Sequence, residues 1–340
     1  MIAWFLDEQN NVTLRETPEP HLSEGDVLVK MEASGICGTD LEKIDGRLGK
    51  GGILGHEVSG TIQETSKSIT DYAPGDRVVA HHHVPCYKCA ACRNGDLTLC
   101  DEFKKTNFDP CGLATYFRVP KYNVERGAIV PLPDQLTFDE GAMIEPTACC
   151  IRAIRRARLR RSDNVLVVGL GPTGLTQVQI LRNETNGKII GTDVIGSRLE
   201  MGSKIGADQT LDPRTDNVAE TVGRLTAGGV DVALVATGNE KALDQAFASV
   251  RRGGKVLLFG APSVGASYRL DVSTLFTHQI SLISSYSCVE PDMHEAIRLV
   301  TEGRISVSAL VSDRFRLREA DKALQHARSS KTAIKTIVTA

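Results

Sequence analysis

The stretch NVLVVGLGPTGLTQVQIL, residues 164–181, decides the fold. Val165–Val168 is a continuous apolar run of strand length, and Gly169, Gly171 and Gly174 follow it at G-x-G-x-x-G spacing. Pro172 and Thr173 then open a segment of helix length. A bare G-x-G-x-x-G is weak, because glycines recur in turns of every kind. Between a strand and a helix it gains meaning: the glycines permit a tight turn and let the backbone approach a pyrophosphate at the helix N-terminus. The next apolar strand ends at Asp193, nineteen residues after Gly174. A carboxylate there accepts hydrogen bonds from the adenosine ribose hydroxyls and repels a 2′-phosphate, so NAD is favoured over NADP. Arg198, five residues on, would pair with a 2′-phosphate only if Asp193 swung away; otherwise it packs along the adenine.

Working outward, the same texture runs from Ser162 to about Ser287. Short apolar strands (NVLVVGL, KIIGTDV, VDVALVATG, KVLLFG, QISLISS) alternate with helical stretches such as PTGLTQVQILRN and EKALDQAFASVRR. This alternation predicts an α/β unit, a parallel sheet covered on both faces. Residues 1–142 read differently, as short strands (DVLVKMEAS, DRVVAHHH) bounded by turns such as Pro74-Gly75-Asp76. The tail carries a helix at PDMHEAIRLVTEG and a strand near IKTIVTA. The expected organisation is a mostly-β domain, 1–145 and 288–340, interrupted by a dinucleotide domain, 146–287.

Composition narrows the partners. The 340 residues are 41% hydrophobic with a formal net charge of −2, which gives no electrostatic reason to expect nucleic acid or an anionic membrane. The opening MIAWFLDEQNNV lacks the pattern of a signal peptide, and no apolar run spans a bilayer. A cytoplasmic, reduced protein is expected, and in that setting clustered cysteines more often bind metal than each other.

Four of the nine cysteines are clustered. CYKCAACRNGDLTLC places Cys86, Cys89, Cys92 and Cys100 at C-x2-C-x2-C-x7-C spacing. Four thiolates this close wrap one tetrahedral Zn²⁺ with no position left for substrate, a structural role; an iron–sulfur cluster or disulfides are the alternatives. A second constellation is scattered: Cys37 in GICGTD and His56-Glu57 in GHEVSG. A thiolate, an imidazole and a carboxylate suit zinc with an open position, which activates a bound hydroxyl or polarises a carbonyl.

These pieces, with APGDRVV, the EP dipeptide at 145–146 and GLGPTG, fall in one order along essentially the whole chain. The sequence resembles the zinc-containing medium-chain dehydrogenase/reductases, the alcohol and polyol dehydrogenase superfamily. The resemblance implies a GroES-like catalytic domain interrupted by a Rossmann coenzyme domain, with the active site in the cleft between them. It makes Cys37 and His56 zinc ligands, Thr39 the hydroxyl that starts a proton relay, and Asp40 the carboxylate that orients His56. Glu57 and Glu145 are its two candidates for the remaining metal-site carboxylate, the EP glutamate being the mark of the polyol and sugar branch. Cys149 and Cys150 then fall too late and become helix packing. Lys335 aligns with a basic residue that reaches the coenzyme pyrophosphate.

Departures from the family pattern bear on the substrate. Glu42 stands where many relatives complete the relay with a histidine. His82, in the triple histidine 81–83, falls at a pocket-lining position. The run IRAIRRARLRR, 151–161, holds six arginines and reads as a solvated helix face, or as attraction for an anionic substrate. The expected enzyme carries two zincs per chain and interconverts a polyol, sugar or small alcohol with its ketone or aldehyde. The alternatives are an NAD(P)H-dependent aldehyde reductase and a catalytically silent nucleotide-binding relative. The resemblance also implies a homodimer or homotetramer.

Overall fold

The computed structural model describes all 340 residues and divides into two compact units. One comprises Met1–Ala148, Ser287–Gly303 and Val307–Ala340; the other comprises Cys149–Tyr286 with Arg304–Ser306.

The second unit is built on the opening stretch. Its six strands run parallel, in the spatial order Gln209–Leu211, Ile189–Thr192, Val165–Val168, Val230–Val235, Val250–Leu258, Ser281–Ser284. In chain order this is 3-2-1-4-5-6, the doubly wound arrangement whose order reverses beside the first strand. Val165, Leu166, Val167 and Val168 are all buried, as a strand covered by helices on both faces requires. Each such side chain contributes about 1.5–3 kcal/mol of burial free energy. Gln209–Leu211 was not among the expected strands. It has three residues and only Leu211 is buried, so no apolar run announces it. The helix expected over 240–252 stops at Ser249, because Val250 already belongs to the next strand.

The first unit holds a seven-stranded sheet in the order Val311–Arg316, Lys335–Thr339, Val27–Gly35, Glu57–Thr65, Arg77–Ala80, Ile129–Pro131, with Tyr116–Val119 also pairing to Val27–Gly35. Only the first pair is parallel. The long strand Val27–Gly35 alternates little and buries seven of its nine residues, since it is contacted by Glu57–Thr65 on one edge and by two strands on the other. Met31, Val58, Phe117 and Leu113 fill the core beside it. The helix Ile144–Ala157 starts in this unit with Glu145 in its first turn.

Two glycines of the decisive stretch are fixed by geometry. Gly169 takes φ +93°, and a Cβ on Gly174 would lie 1.9 Å from the Gly169 carbonyl oxygen. That contact is with backbone, so the helix must move away from the strand to admit a methyl group. Gly174→Ala is therefore expected to destabilise the second unit by about 1–3 kcal/mol, the usual cost of overpacking, and to weaken coenzyme binding in parallel. Urea unfolding together with coenzyme titration checks this; an unchanged midpoint would refute it.

Candidate active site

The geometry of the glycine loop follows from the strand before it and the helix after it. Gly171 caps the helix Pro172–Glu184 with Pro172 in its first turn, where a missing N–H costs nothing. Thr173 lies in the same turn, its carbonyl oxygen 3.6 Å from Cys150 Sγ. Asp193 is buried directly after the strand Ile189–Thr192. One of its oxygens accepts from Leu170 N at 2.8 Å and the other from Ile195 N at 2.9 Å. The carboxylate is thus locked beside the glycine turn and cannot swing freely. Arg198 Nη1 stands 3.7 Å from it.

The four-cysteine loop closes on itself. None of the nine cysteines forms a disulfide. Cys89 Sγ and Cys86 Sγ lie 3.5 Å and 3.9 Å from Cys92 Sγ, and the donor atoms of all four cysteines lie within 4.8 Å of one another. A tetrahedral shell with Zn–S near 2.3 Å has S···S edges of roughly 3.8 Å, so the four sulfurs fit one zinc ion. Backbone N–H groups of Lys88 and Cys89 pull the Cys86 thiol down to about 6, while burial pushes Cys92 up to about 12. So tight a group of sulfurs ionises together only around a cation. Phe103 and Val289 pack against it.

Strand pairing assembles the other constellation. In the antiparallel register Gly35 faces Glu57; Cys37 follows the first strand and His56 precedes the second, so the two meet. Cys37, His56 and Glu57 place their donor atoms within 4.8 Å of one another, a thiolate–imidazole–carboxylate set that fits zinc. Behind it lies Asp40, fully buried in the helix Gly38–Ile44. Its oxygens accept from Cys37 N at 3.1 Å and Gly55 N at 3.2 Å, and one lies 3.5 Å from His56 Nδ1. Burial alone would lower His56, but Asp40 and Cys37 overcome it and hold the imidazole well above its usual range. With Nδ1 turned to Asp40, Nε2 faces Thr39 Oγ1 at 3.5 Å. Glu42, one turn on, is engaged by Arg47 Nη1 at 3.2 Å.

His82 is brought close to this group, its ring centroid 4.9 Å from that of His56. Its Nδ1 is buried without a hydrogen-bond partner. Burial, with His83 and His56 nearby, holds it well below the usual histidine range, so it is a neutral ring with a free polar atom. Glu145 is buried too, but its carboxylate keeps company with His81 and Cys288. Neither of those was anticipated. Cys288 lies 207 residues from His81, and no local pattern signals the meeting. Cys150 is fully buried, as a packing thiol should be.

The structure gives Lys335 a partner within the protein. The resemblance aimed it at the coenzyme pyrophosphate; the structure buries it to 2% exposure and aims its ammonium at Glu57 and at Ile36 O, 3.1 Å away. The cause is register: Lys335–Thr339 pairs with Val27–Gly35, Ile337 opposite Gly35, which turns residue 335 toward Glu57. Removing one partner of a buried ion pair costs about 3–5 kcal/mol. Lys335→Ala should destabilise by that order, and the double change Lys335→Met with Glu57→Leu should recover part of the loss. Chemical denaturation of the two variants checks this, and equal losses in the single and double variants would refute it.

Comparisons with known proteins agree with this geometry. The alcohol dehydrogenase GroES-like domain family matches residues 23–134, and the zinc-binding dehydrogenase family matches 172–302. The chain is 32% identical to sorbitol dehydrogenase of Bacillus subtilis, covering 96% of this chain and 93% of the relative. It is 31% identical to sorbitol dehydrogenase of Halalkalibacterium halodurans, over 96% and 95%. Among solved structures, the alcohol dehydrogenase of Thermus sp. ATN1 superposes with a TM-score of 0.88 at 26% identity, covering 100% of this chain and 99% of that one. With the strand order, the glycine turn and both cysteine-bearing clusters in place, the chain belongs to the zinc-binding medium-chain dehydrogenases, in the company of the sorbitol dehydrogenases.

Proposed function

We propose that this protein is a zinc-dependent, NAD-linked dehydrogenase that oxidises a hydroxyl of a polyol or related sugar alcohol to the carbonyl. The observation that carries the reading is the Cys37–His56 donor pair with Asp40 locked behind it and Thr39 in front of it. The relatives named as sorbitol dehydrogenases support the substrate class, and locked Asp193 supports NAD over NADP.

Zinc held by Cys37 and His56 supplies Lewis acidity that makes a bound hydroxyl easier to deprotonate. The rest falls to the chain itself. Asp40 fixes the tautomer and direction of His56 and, through Cys37 N and Gly55 N, holds both ligand-bearing segments together. The Thr39 hydroxyl accepts the substrate proton and hands it on, with Glu42 the next acceptor along the helix. The His82 ring, 4.9 Å from that of His56, borders the site on the side of a polyhydroxylated substrate. Lys335 keeps the Glu57 carboxylate compensated. A nicotinamide coenzyme bound at the glycine turn would supply the hydride acceptor, the cofactor's own chemistry.

No helix is long and apolar enough to cross a membrane, and we place the enzyme in the cytoplasm. We also assign it a homodimeric contact on the second unit. Ser281–Ser284 is the sheet edge, paired on one side only. Around it Phe276 is 82% exposed and Leu282 49% exposed, a combination that invites strand pairing with a second copy.

Incubating the protein with NAD or NADP and a panel of polyols, sugars, sugar phosphates and simple alcohols, and following reduced coenzyme, tests the activity. Polyols with NAD are expected to give the highest kcat/KM. Cys37→Ser should lower it at least about 10³-fold while leaving coenzyme affinity in place; near-normal turnover in that variant would sink the mechanism. Leu282→Arg should shift the sedimenting species toward monomer, and an unchanged sedimentation profile would place the contact elsewhere.

A further inference from the structure

The arginine-rich run 151–161 plays no part in the chemistry above, yet its residues border a pocket. Arg156, Ala157, Arg158, Lys255 and Ile283 line a cavity of about 370 Å³, and all five lie in the second unit. Three of the five are cations and none is a carboxylate. We propose that this pocket binds a phosphate dianion carried on a small organic molecule, at a site separate from those for coenzyme and substrate.

The pocket belongs to the other end of the sheet from the glycine turn. Lys255 pairs with Val232 and Val232 with Val165, the first residue of the strand whose last residue, Val168, precedes that turn. The two levels are about 10 Å apart along the strand. Lys255 stands opposite Ser281, and Ile283 follows two residues later, so Lys255 and Ile283 project from one face. Leu282 projects from the other face, which keeps the pocket distinct from the apolar patch at Phe276 and Leu282.

The charges of the pocket are uncompensated. Arg156 Nε donates to Ser284 O at 2.9 Å, and Lys255 Nζ donates to Ala157 O at 2.6 Å and Arg158 O at 3.1 Å. Carbonyl oxygens satisfy those N–H groups without cancelling a full charge. The carboxylates on neighbouring segments, Asp231 and Asp163, are engaged by Arg251 at 2.7 Å and Arg160 at 3.6 Å. The helix Ile144–Ala157 ends here, and its free carbonyls alone would repel an anion. Lys255 covers that end and puts a positive charge in front of it.

Arg158 is a separate sign. It takes φ +49° just after the helix, where glycine or asparagine is usual because a Cβ is strained there. Its exposed guanidinium makes no ion pair or hydrogen bond within the chain. Two guanidinium forks and an ammonium match the oxygens of a phosphate, which accept paired N–H bonds. Ile283 and Ala157 offer an apolar wall to the rest of the molecule, and the volume suits a small one. A ligand seated there ties the helix end to the edge strand Ser281–Ser284.

Calorimetric titration of the full chain, saturated with Zn²⁺ and NAD, tests the site with two probes, inorganic phosphate and phenyl phosphate. Neither carries an alcohol carbon to oxidise. The wild type is expected to bind one phenyl phosphate per chain, more weakly as salt rises. The double change Arg156→Gln with Arg158→Asn should raise the dissociation constant at least about 10-fold. Asparagine tolerates the left-handed turn and both side chains are exposed, so the melting temperature without ligand should match that of the wild type. Phenyl phosphate held instead by the Cys37–His56 pair or the glycine turn would bind the variant as tightly as the wild type, and that result overturns the proposal. Absence of binding to the wild type overturns it equally. Tighter binding of phenyl phosphate than of inorganic phosphate supports an organic phosphomonoester; the reverse order overturns that assignment and leaves free phosphate as the ligand. Turnover does not enter the measurement, so its outcome is independent of the polyol reading.

Discussion

The first unit turns on one buried carboxylate. Asp40 has no exposed surface, yet it faces three groups: the backbone N–H of Cys37, the backbone N–H of Gly55 and the imidazole of His56. Burying an ion is costly unless its lone pairs are satisfied. Here the same contacts that compensate the charge also fix the two chain segments bearing the thiol and the imidazole. Local backbone geometry and site geometry are therefore one constraint. The strand register Gly35 opposite Glu57 brings the segments near each other, and Asp40 removes the remaining freedom.

The second unit rests on a different kind of constraint, steric rather than electrostatic. The helix Pro172–Glu184 can approach the strand Val165–Val168 closely only because residue 174 has no side chain. That closeness presents the first-turn N–H groups at the end of the sheet, next to a carboxylate pinned by two backbone bonds. The end of the helix and the acid proposed to bind the coenzyme's phosphates and ribose thus meet at one turn.

Much of this was legible in the sequence where the signal was local. The glycine spacing, the apolar strands around it and the four-cysteine loop all occupy short windows, and the structure places them as read. Cys37, Asp40 and His56 were legible through their motifs, and the structure brings them together. What escaped had no local signature. The strand Gln209–Leu211 is too short and too polar to show periodicity. The company of Glu145 depends on Cys288, whose neighbours in sequence say nothing about His81. The Glu57 partner of Lys335 was not legible, because a basic residue in a C-terminal strand carries no record of which strand it pairs with, and register alone decides what its ammonium meets. Non-local pairing is the information that periodicity leaves out.

The Glu57–Lys335 pair has a consequence for how the molecule is made. The two partners are 278 residues apart, and the whole of Cys149–Tyr286 is synthesised between them. During translation every residue of the second unit is synthesised before Lys335. The first unit must meanwhile wait with a carboxylate whose partner does not yet exist. Burial of Glu57 is unfavourable until the strand Lys335–Thr339 docks, so closure around Cys37, His56 and Glu57 awaits the last strand of the chain. The pair acts as a latch on assembly: a chain with an incomplete sheet cannot present a finished metal-binding pocket.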